Sequence, residues 1–334
     1  MKRLLTFILA VCLLTFCETA FAKELIGADS TGKNAAGQLW GEKIAQRVSE
    51  LTGGKLTIDY HPNGELGGDT DLIRQMQFGD IGLVVCQPAP LVSFIPEMAV
   101  FDLPMVFARY DGETIDRVLN GDNEFRKRLN AAYEVRGLRL LGLLQNGTYR
   151  MTTANHPLYT FEDFKGLQIR TMENRNHIAF WRAMGAEPTP LAWAEVYIAL
   201  QNGTIDAQEN AADTCAGASF QEVQKYLACT NHILYVNQVC MNLDEYESLS
   251  DEYQNALVQA VADATAYMRP QLKRMDEENR QKLTDGGMIL IEYGDEFYQK
   301  ILESDDVQKL YKVIDEEQIS GLGTLLSEAL AHPN

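Results

Sequence analysis

Phe164 to Asn174 reads FKGLQIRTMEN, and within it Leu167 and Ile169 alternate with Gln168 and Arg170. That is the period of a strand with one face buried, and its other face ends on a guanidinium. A solvated surface arginine is the ordinary outcome for such a residue, so a binding role needs support from elsewhere in the chain. Other candidates for chemistry are few. There is no G-x-S-x-G elbow, no H-E-x-x-H and no P-loop, which removes the common signatures of hydrolases, metalloproteases and nucleotide binding. The histidines at 61, 156, 177, 232 and 332 lack metal-ligand spacing, and GLG at Gly321 has no strand before it to make a dinucleotide loop. GELGGDTD gathers Glu65, Asp69 and Asp71 without the twelve-residue pattern of a calcium loop, and reads as a turn leading into a helix. Asn146 and Asn202, each followed by Gly-Thr, read as turns. Glu173 is the carboxylate near Arg170 that can serve as a general base. An exported lyase or hydrolase acting on an acidic substrate is therefore the alternative to a binding protein.

The elements that must position these residues follow from periodicity. KELIGADS has the pattern of a strand, and Ser30 or Thr31 can cap a helix on which Trp40, Ile44, Val48 and Leu51 share a face. TGGK ends that helix, and KLTIDYHP alternates as a strand. A helix over DTDLIRQMQFGD then leads into the apolar strand IGLVVCQPAP. The same grammar returns with LRLLGLLQNG, with LQIRTMEN, with a helix around Ile178, Trp181 and Met184 ended by Gly185, and with the helix WAEVYIALQNG. Repeated strand-helix units predict α/β layers with largely parallel pairing, and two such blocks predict two lobes. From Ser250 to Leu283 the chain is helix-forming throughout except for Pro270, which predicts one long kinked helix.

The N-terminus MKRLLTFILAVCLLTFCETAFAKEL has a basic end, an apolar run from Leu4 to Phe16 and Ala20-Phe21-Ala22 before Lys23, the pattern of a secretory leader over residues 1–22. The apolar run is shorter than the roughly 20 residues of a membrane span. A lipid-modified Cys17 is the weaker alternative, because Phe16 is bulky where that processing takes a small residue. The formal net charge is −18, and removing Lys2, Arg3 and Glu18 with the leader leaves the chain still more acidic, which argues against nucleic acid or anionic membrane as partner. Cys86, Cys215, Cys229 and Cys240 remain, with no C-x-x-C pair; an oxidising compartment permits a Cys229–Cys240 bridge, and spacing alone leaves it open.

Several stretches together resemble the DctP-type solute-binding proteins of tripartite ATP-independent periplasmic (TRAP) transporters. They are PNGELGG (62–68), FIPEMAVFDLPMVF (94–107), KGLQIRTMEN (165–174), GAEPTPLAWAEVYIALQNGTIDAQEN (185–210) and EVQKYLACTNH (222–232), in matching order and spacing. The resemblance implies a two-lobed periplasmic-binding-protein-like α/β fold with crossing hinge strands and a long kinked inter-lobe helix. It implies lobe I over 23–147 plus 236–275 and lobe II over 148–235 plus 276–334, hinged near Gly147, Val236 and Pro270.

By the same resemblance, Arg170 pairs with the carboxylate of a small organic acid, which a planar guanidinium holds with two parallel hydrogen bonds. Asn210 helps to orient that carboxylate, Arg150 is a second arginine, Trp193 is an aromatic wall, and Asp29, Asp69, Gln87 and Glu173 are polar or rim positions that vary with ligand. Each has a plainer reading: Trp193 as helix core, Arg150 as a structural ion pair, Gln87 as the end of a strand. Many relatives have Glu-Asn-Pro where this chain has Glu209-Asn210-Ala211, a departure that bears on ligand identity. The function implied is capture of an organic acid, a sugar acid or an aromatic acid among the options, in the periplasm, with delivery to TRAP membrane subunits. Neither cofactor, metal nor nucleic acid is expected, and a monomer is.

Overall fold

The computed structural model describes residues 22–332. The leader assigned to residues 1–22 lies outside the described residues except for Ala22, and among the described residues no helix is long and apolar enough to cross a membrane.

Two sheets form the two lobes. The first has the order β2-β1-β3-β10-β4, built from β1 (Lys23–Asp29), β2 (Leu56–His61), β3 (Leu83–Cys86), β4 (Leu138–Tyr149) and β10 (Leu234–Asn242). The second has the order β11-β9-β5-β8-β6-β7, from β5 (Met151–Ala154), β6 (Gln168–Thr171), β7 (Glu187–Pro190), β8 (Ala207–Asn210), β9 (Tyr226–Ala228) and β11 (Ile289–Ile291). Pairing is parallel where strand-helix units follow one another, as in β1 with β2 and β3 and in β6 with β7 and β8. It turns antiparallel where β10, β4 and β5 insert, so the largely parallel expectation holds for the β2-β1-β3 side of the first sheet and for the two outer parts of the second.

Those inserted strands cross between the lobes. β4 passes through Arg150 into β5, residues 229–233 return the chain from β9 to β10, and the two crossings are tied by the Arg150 N–H donating to the Ile233 carbonyl at 2.9 Å. Asn146-Gly147 lies inside β4 instead of making a turn. Val236 faces Gln145 and Leu234 faces Tyr149, so β4 spends four residues where β10 spends two, a bulge that uses Gly147 at φ +64° in the left-handed region that suits glycine.

The third connection is the helix Asp251–Asp285. Near its start it packs on the helix Ala36–Thr52, where Trp40 Nε1 donates to Thr265 Oγ1 at 3.1 Å; near its end Lys282 donates to the Ala216 carbonyl at 2.9 Å beneath the second sheet. Pro270 inside it has no N–H for the Ala266 carbonyl, which is where such a helix bends. On Ala36–Thr52 the buried face runs Trp40, Ile44, Val48 and Thr52, while Leu51 turns outward. Each large apolar side chain fully buried here contributes about 1.5–3 kcal/mol. Neither Ser30 nor Thr31 caps this helix. Its Ala36 N–H donates instead to Asp213 Oδ2, 3.0 Å away in the other lobe, so a carboxylate of lobe II meets the positive end of a lobe I helix.

All four cysteines of the described residues are buried free thiols. Cys240 sits in the middle of the first sheet beside Met76, and Cys229 follows β9 beside Met151, so the Cys229–Cys240 bridge is not formed.

Candidate functional site

The lobes enclose a cleft with two connected parts. An outer cavity of about 650 Å³ is lined from lobe I by Ser30, Asn63, Asp69, Thr70 and Arg74 among others, and from lobe II by Arg170, Met172, Glu173 and Trp193. Beneath it lies an inner chamber of about 20 Å³, on which Ser30, Asp69, Gln87, Arg170, Trp193, Asn210, Thr214 and Tyr235 converge.

Arg170 is common to both parts. Its strand face is not wet: the residue is only 3 % exposed, because the face opposite Ile169 turns into the cleft and not to bulk water. Nε and one Nη donate to the Leu191 carbonyl at 3.0 and 2.7 Å, which fixes the plane of the guanidinium. Its carbon lies 5.8 Å from the centre of the Trp193 ring. Burial pulls its pKa down to about 10, with Glu209, Asp69 and Glu173 opposing, so it stays charged at neutral pH. Trp193 opens the helix Trp193–Gln201 directly after β7 and packs edge-on against Phe220 at 5.7 Å, which holds its ring at the cleft wall.

Asn210, at the end of β8, is 1 % exposed; Nδ2 donates to Gln208 Oε1 at 3.2 Å, and Oδ1 has no hydrogen-bond partner among the described residues. Asp69 begins the helix Asp69–Phe78 and takes a hydrogen bond from Ser30; burial raises its pKa, with the Ser30 bond and the Arg170 charge pulling the other way. Glu173 is exposed at the rim, where Thr70 Oγ1 of the opposite lobe donates to it at 3.4 Å.

Two of the expected site residues are committed elsewhere. Asp29 lines neither cavity: its Oδ1 accepts from Thr31 N and Oγ1 at 2.8 and 2.7 Å and from Asn63 N at 3.2 Å, and its Oδ2 from Tyr60 at 2.8 Å. Arg150 also lines neither. It forms an ion pair with Glu209 Oε2 at 2.5 Å, donates to the Glu209 carbonyl at 3.1 Å, and reaches Gln87, which brings Gln87 into the chamber wall. Its plainer reading, a structural ion pair, is therefore what the side chain makes.

That pair belongs to a buried chain of alternating charge. Glu209, fully buried, has His177 Nδ1 3.5 Å from Oε1 and His232 Nε2 3.4 Å from Oε2, and the far side of His177 meets Asp102 Oδ1 at 3.2 Å. Burial acts to raise the Glu209 pKa, but the Arg150 charge and the two imidazoles outweigh it and hold the carboxyl well below its usual range. Burial acts to lower the His177 pKa and is overcome by Asp102 and Glu209, which raise it; for His232 burial wins and lowers it. Asp102 further accepts from Asn174 and Asn176, each at 2.9 Å, and so holds the helix Arg175–Ala183 of lobe II against the 3₁₀ segment Pro96–Asp102 of lobe I. Among the described residues no cluster of His, Cys, Asp and Glu is arranged to hold a metal ion.

Residues 30–318 match the family model DctP, bacterial extracellular solute-binding protein, family 7. The chain belongs to this family. It is similar to the 2,3-diketo-L-gulonate-binding periplasmic protein of Escherichia coli, with 31 % identity over 80 % of this chain and 81 % of that one. It is also similar to the C4-dicarboxylate-binding periplasmic protein of Rhodobacter capsulatus, with 30 % identity over 77 % and 74 % of the two chains. Among solved structures, the sugar acid binding protein of Advenella mimigardefordensis, in complex with galactonate, superposes with a TM-score of 0.84 at 27 % identity, over 92 % of this chain and 99 % of that one. This DctP-family chain is thus a TRAP-type solute-binding protein and not an enzyme, and the alternative of an exported lyase or hydrolase falls.

Sequence reasoning missed Glu209, Asp102 and the two buried histidines of this DctP-family protein. The one signal for Glu209 is its place inside AQEN, a strand whose other members are small or amide-bearing. A lone carboxylate in such a run must bring its own cations.

Proposed function

We propose that the cleft takes a small monocarboxylate with a hydroxyl-rich body, a sugar acid ahead of an aromatic acid and both ahead of a plain C4 diacid. Arg170 anchors the carboxylate. Buried beside the inner chamber with its plane fixed on Leu191, it can present a guanidinium edge to an anion without reordering, and that observation carries the reading. Trp193 supplies an apolar wall, and Ser30, Asn63, Asp69, Thr70 and Glu173 supply partners for hydroxyl groups. A plain diacid leaves those groups facing an unreactive chain, at about 1–3 kcal/mol for each that is buried and unpaired. The formal charge of −18 repels anions at long range, so attraction is local to Arg170 and affinity should tolerate salt.

The protein works as a monomer in the periplasm and hands its ligand to TRAP membrane subunits. Its lobes are residues 23–147 with 236–275 and residues 148–235 with 276–334; the terminal helix Leu322–Ala331 of the second reaches back to pack on the helices Gly112–Asn120 and Glu124–Glu134 of the first. A thermal-shift panel of aldonates, uronates, indole and phenyl acids, malate and succinate tests the ligand class. Aldonates should raise the melting temperature most, and stabilisation by four-carbon diacids alone overturns the reading.

A further inference from the structure

The geometry points to a hydrogen-bond donor on the carbon next to the ligand's carboxylate, so that the site selects 2-hydroxy acids of the aldonate type over acids that lack that donor. This rests on the reading of Arg170 as the carboxylate anchor. It follows from a relay of four buried side chains that fixes which end of the Asn210 amide faces the ligand.

The relay starts at backbone carbonyls, which only accept. Gln224 Nε2 donates to the carbonyls of Asp206 and Val223, each at 3.2 Å, so its amide cannot be reversed and Gln224 Oε1 must accept. Thr153 Oγ1 donates to that oxygen at 3.1 Å, which uses its one proton and leaves its lone pairs to accept. Gln208 Nε2 accordingly donates to Thr153 Oγ1 at 2.9 Å, and its second hydrogen points to Cys215 Sγ at 3.4 Å. Gln208 Oε1 then accepts from Asn210 Nδ2 at 3.2 Å. The Asn210 amide is thereby set with Oδ1 as the unpartnered atom, on a residue that lines the inner chamber together with Arg170. Thr153, Gln208, Gln224 and Asn210 are all at most 3 % exposed, so bulk water does not reverse the order. Turning Gln208 over would take the Thr153 proton away from Gln224 Oε1 and move the orphan deeper into the lobe.

A carboxylate cannot satisfy Asn210 Oδ1, because it has no proton to give. Arg170 supplies the donors for the carboxylate, and Asn210 supplies an acceptor. The ligand that matches both has a hydroxyl or ammonium group on C2. An aldonate does. A uronate in its pyranose form places the ring oxygen, an acceptor, on the carbon next to its carboxylate, and a simple fatty or aryl acid places nothing there. Thr153 is two side chains removed from the ligand and acts as a positioning residue for this selectivity.

Titration calorimetry with gluconate and galactonate, each compared with its 2-deoxy and 2-deoxy-2-fluoro analogue, tests the inference. Fluorine keeps the size and polarity of the hydroxyl but cannot donate. The hydroxy acids should bind about 10- to 100-fold more tightly than either analogue. That ratio should fall to within about threefold in Thr153→Val and be kept in Thr153→Ser, whereas a purely structural role would shift all three acids alike. Analogues within about threefold of the hydroxy acids in the wild type, with Arg170→Lys still abolishing binding, overturn the inference and leave the carboxylate reading standing. An unchanged ratio in Thr153→Val overturns the relay. No binding by any of the acids, or binding indifferent to Arg170→Lys, removes the carboxylate reading and the inference with it. Should Thr153→Val fail to fold, the wild-type series decides alone.

Discussion

Replacing Arg170 by lysine is the sharpest perturbation of the site. Arginine has enough donors in one plane to hold the Leu191 carbonyl with two of them and still offer an edge to a carboxylate. A lysine has one nitrogen for both tasks. Charge-assisted hydrogen bonds contribute about 1.5–3 kcal/mol each, so losing the bidentate pair removes about 3–6 kcal/mol, or roughly 10²- to 10⁴-fold in Kd. The same burial that draws Arg170 down to about 10 also acts on the lysine, which starts lower and so sheds its charge sooner as pH rises. The unliganded protein suffers far less: the Leu191 carbonyl keeps one donor, and the cation over Trp193 was worth about 0.5–1 kcal/mol. Calorimetric titration with the most stabilising acid of the thermal panel reads the first effect, and urea unfolding without ligand reads the second. Affinity within about threefold of wild type would take Arg170 out of the site.

Two further outcomes follow from the buried charge chain. Glu209→Gln leaves Arg150 without its counter-charge and should lower the free energy of unfolding in urea by about 3–5 kcal/mol; a loss under about 1 kcal/mol would mean that Arg150 finds another partner. Because the folded pKa of His177 is raised above 6.5, its contribution to stability is full below pH 6.5 and is lost as pH rises through the folded value. His177→Gln should therefore be less stable than wild type at pH 5.5, with the gap narrowing as pH rises above 6.5, and a gap that does not change with pH contradicts the protonated bridge.

The legible parts of this molecule were those with local signatures. Strand period, glycine stops and the helix-forming run from Ser250 to Leu283, broken only by Pro270, each marked an element close to its observed place. Arg170 and Trp193 were expected at the cleft from the family resemblance and not from periodicity, and both line it, one from β6 and the other from the start of the helix Trp193–Gln201. What was hidden depends on distant chain. Ser30 and Thr31 were fair capping candidates, but the carboxylate that meets the helix comes from Asp213, a residue of the other lobe. Arg150 carries the same guanidinium as Arg170, and only the fold reveals that Glu209 has already claimed it. Asn146-Gly147 has the chemistry of a turn, and pairing with β10 converts it into a bulge.

The strand order also governs how the chain can fold. β10 lies between β3 and β4 in the first sheet, yet in sequence it comes after β5 to β9 of the second. β11 closes the edge of the second sheet only after the chain has gone back along the helix Asp251–Asp285. Neither lobe is a contiguous stretch that can complete itself first. Until the residues of β10 are available, the edge strand β4 has nothing to join it to β3, and the closing contacts span long loops whose entropy must be met before they stabilise anything. The N-terminal half thus cannot complete either sheet by itself, since the first waits for β10 and the second for β11.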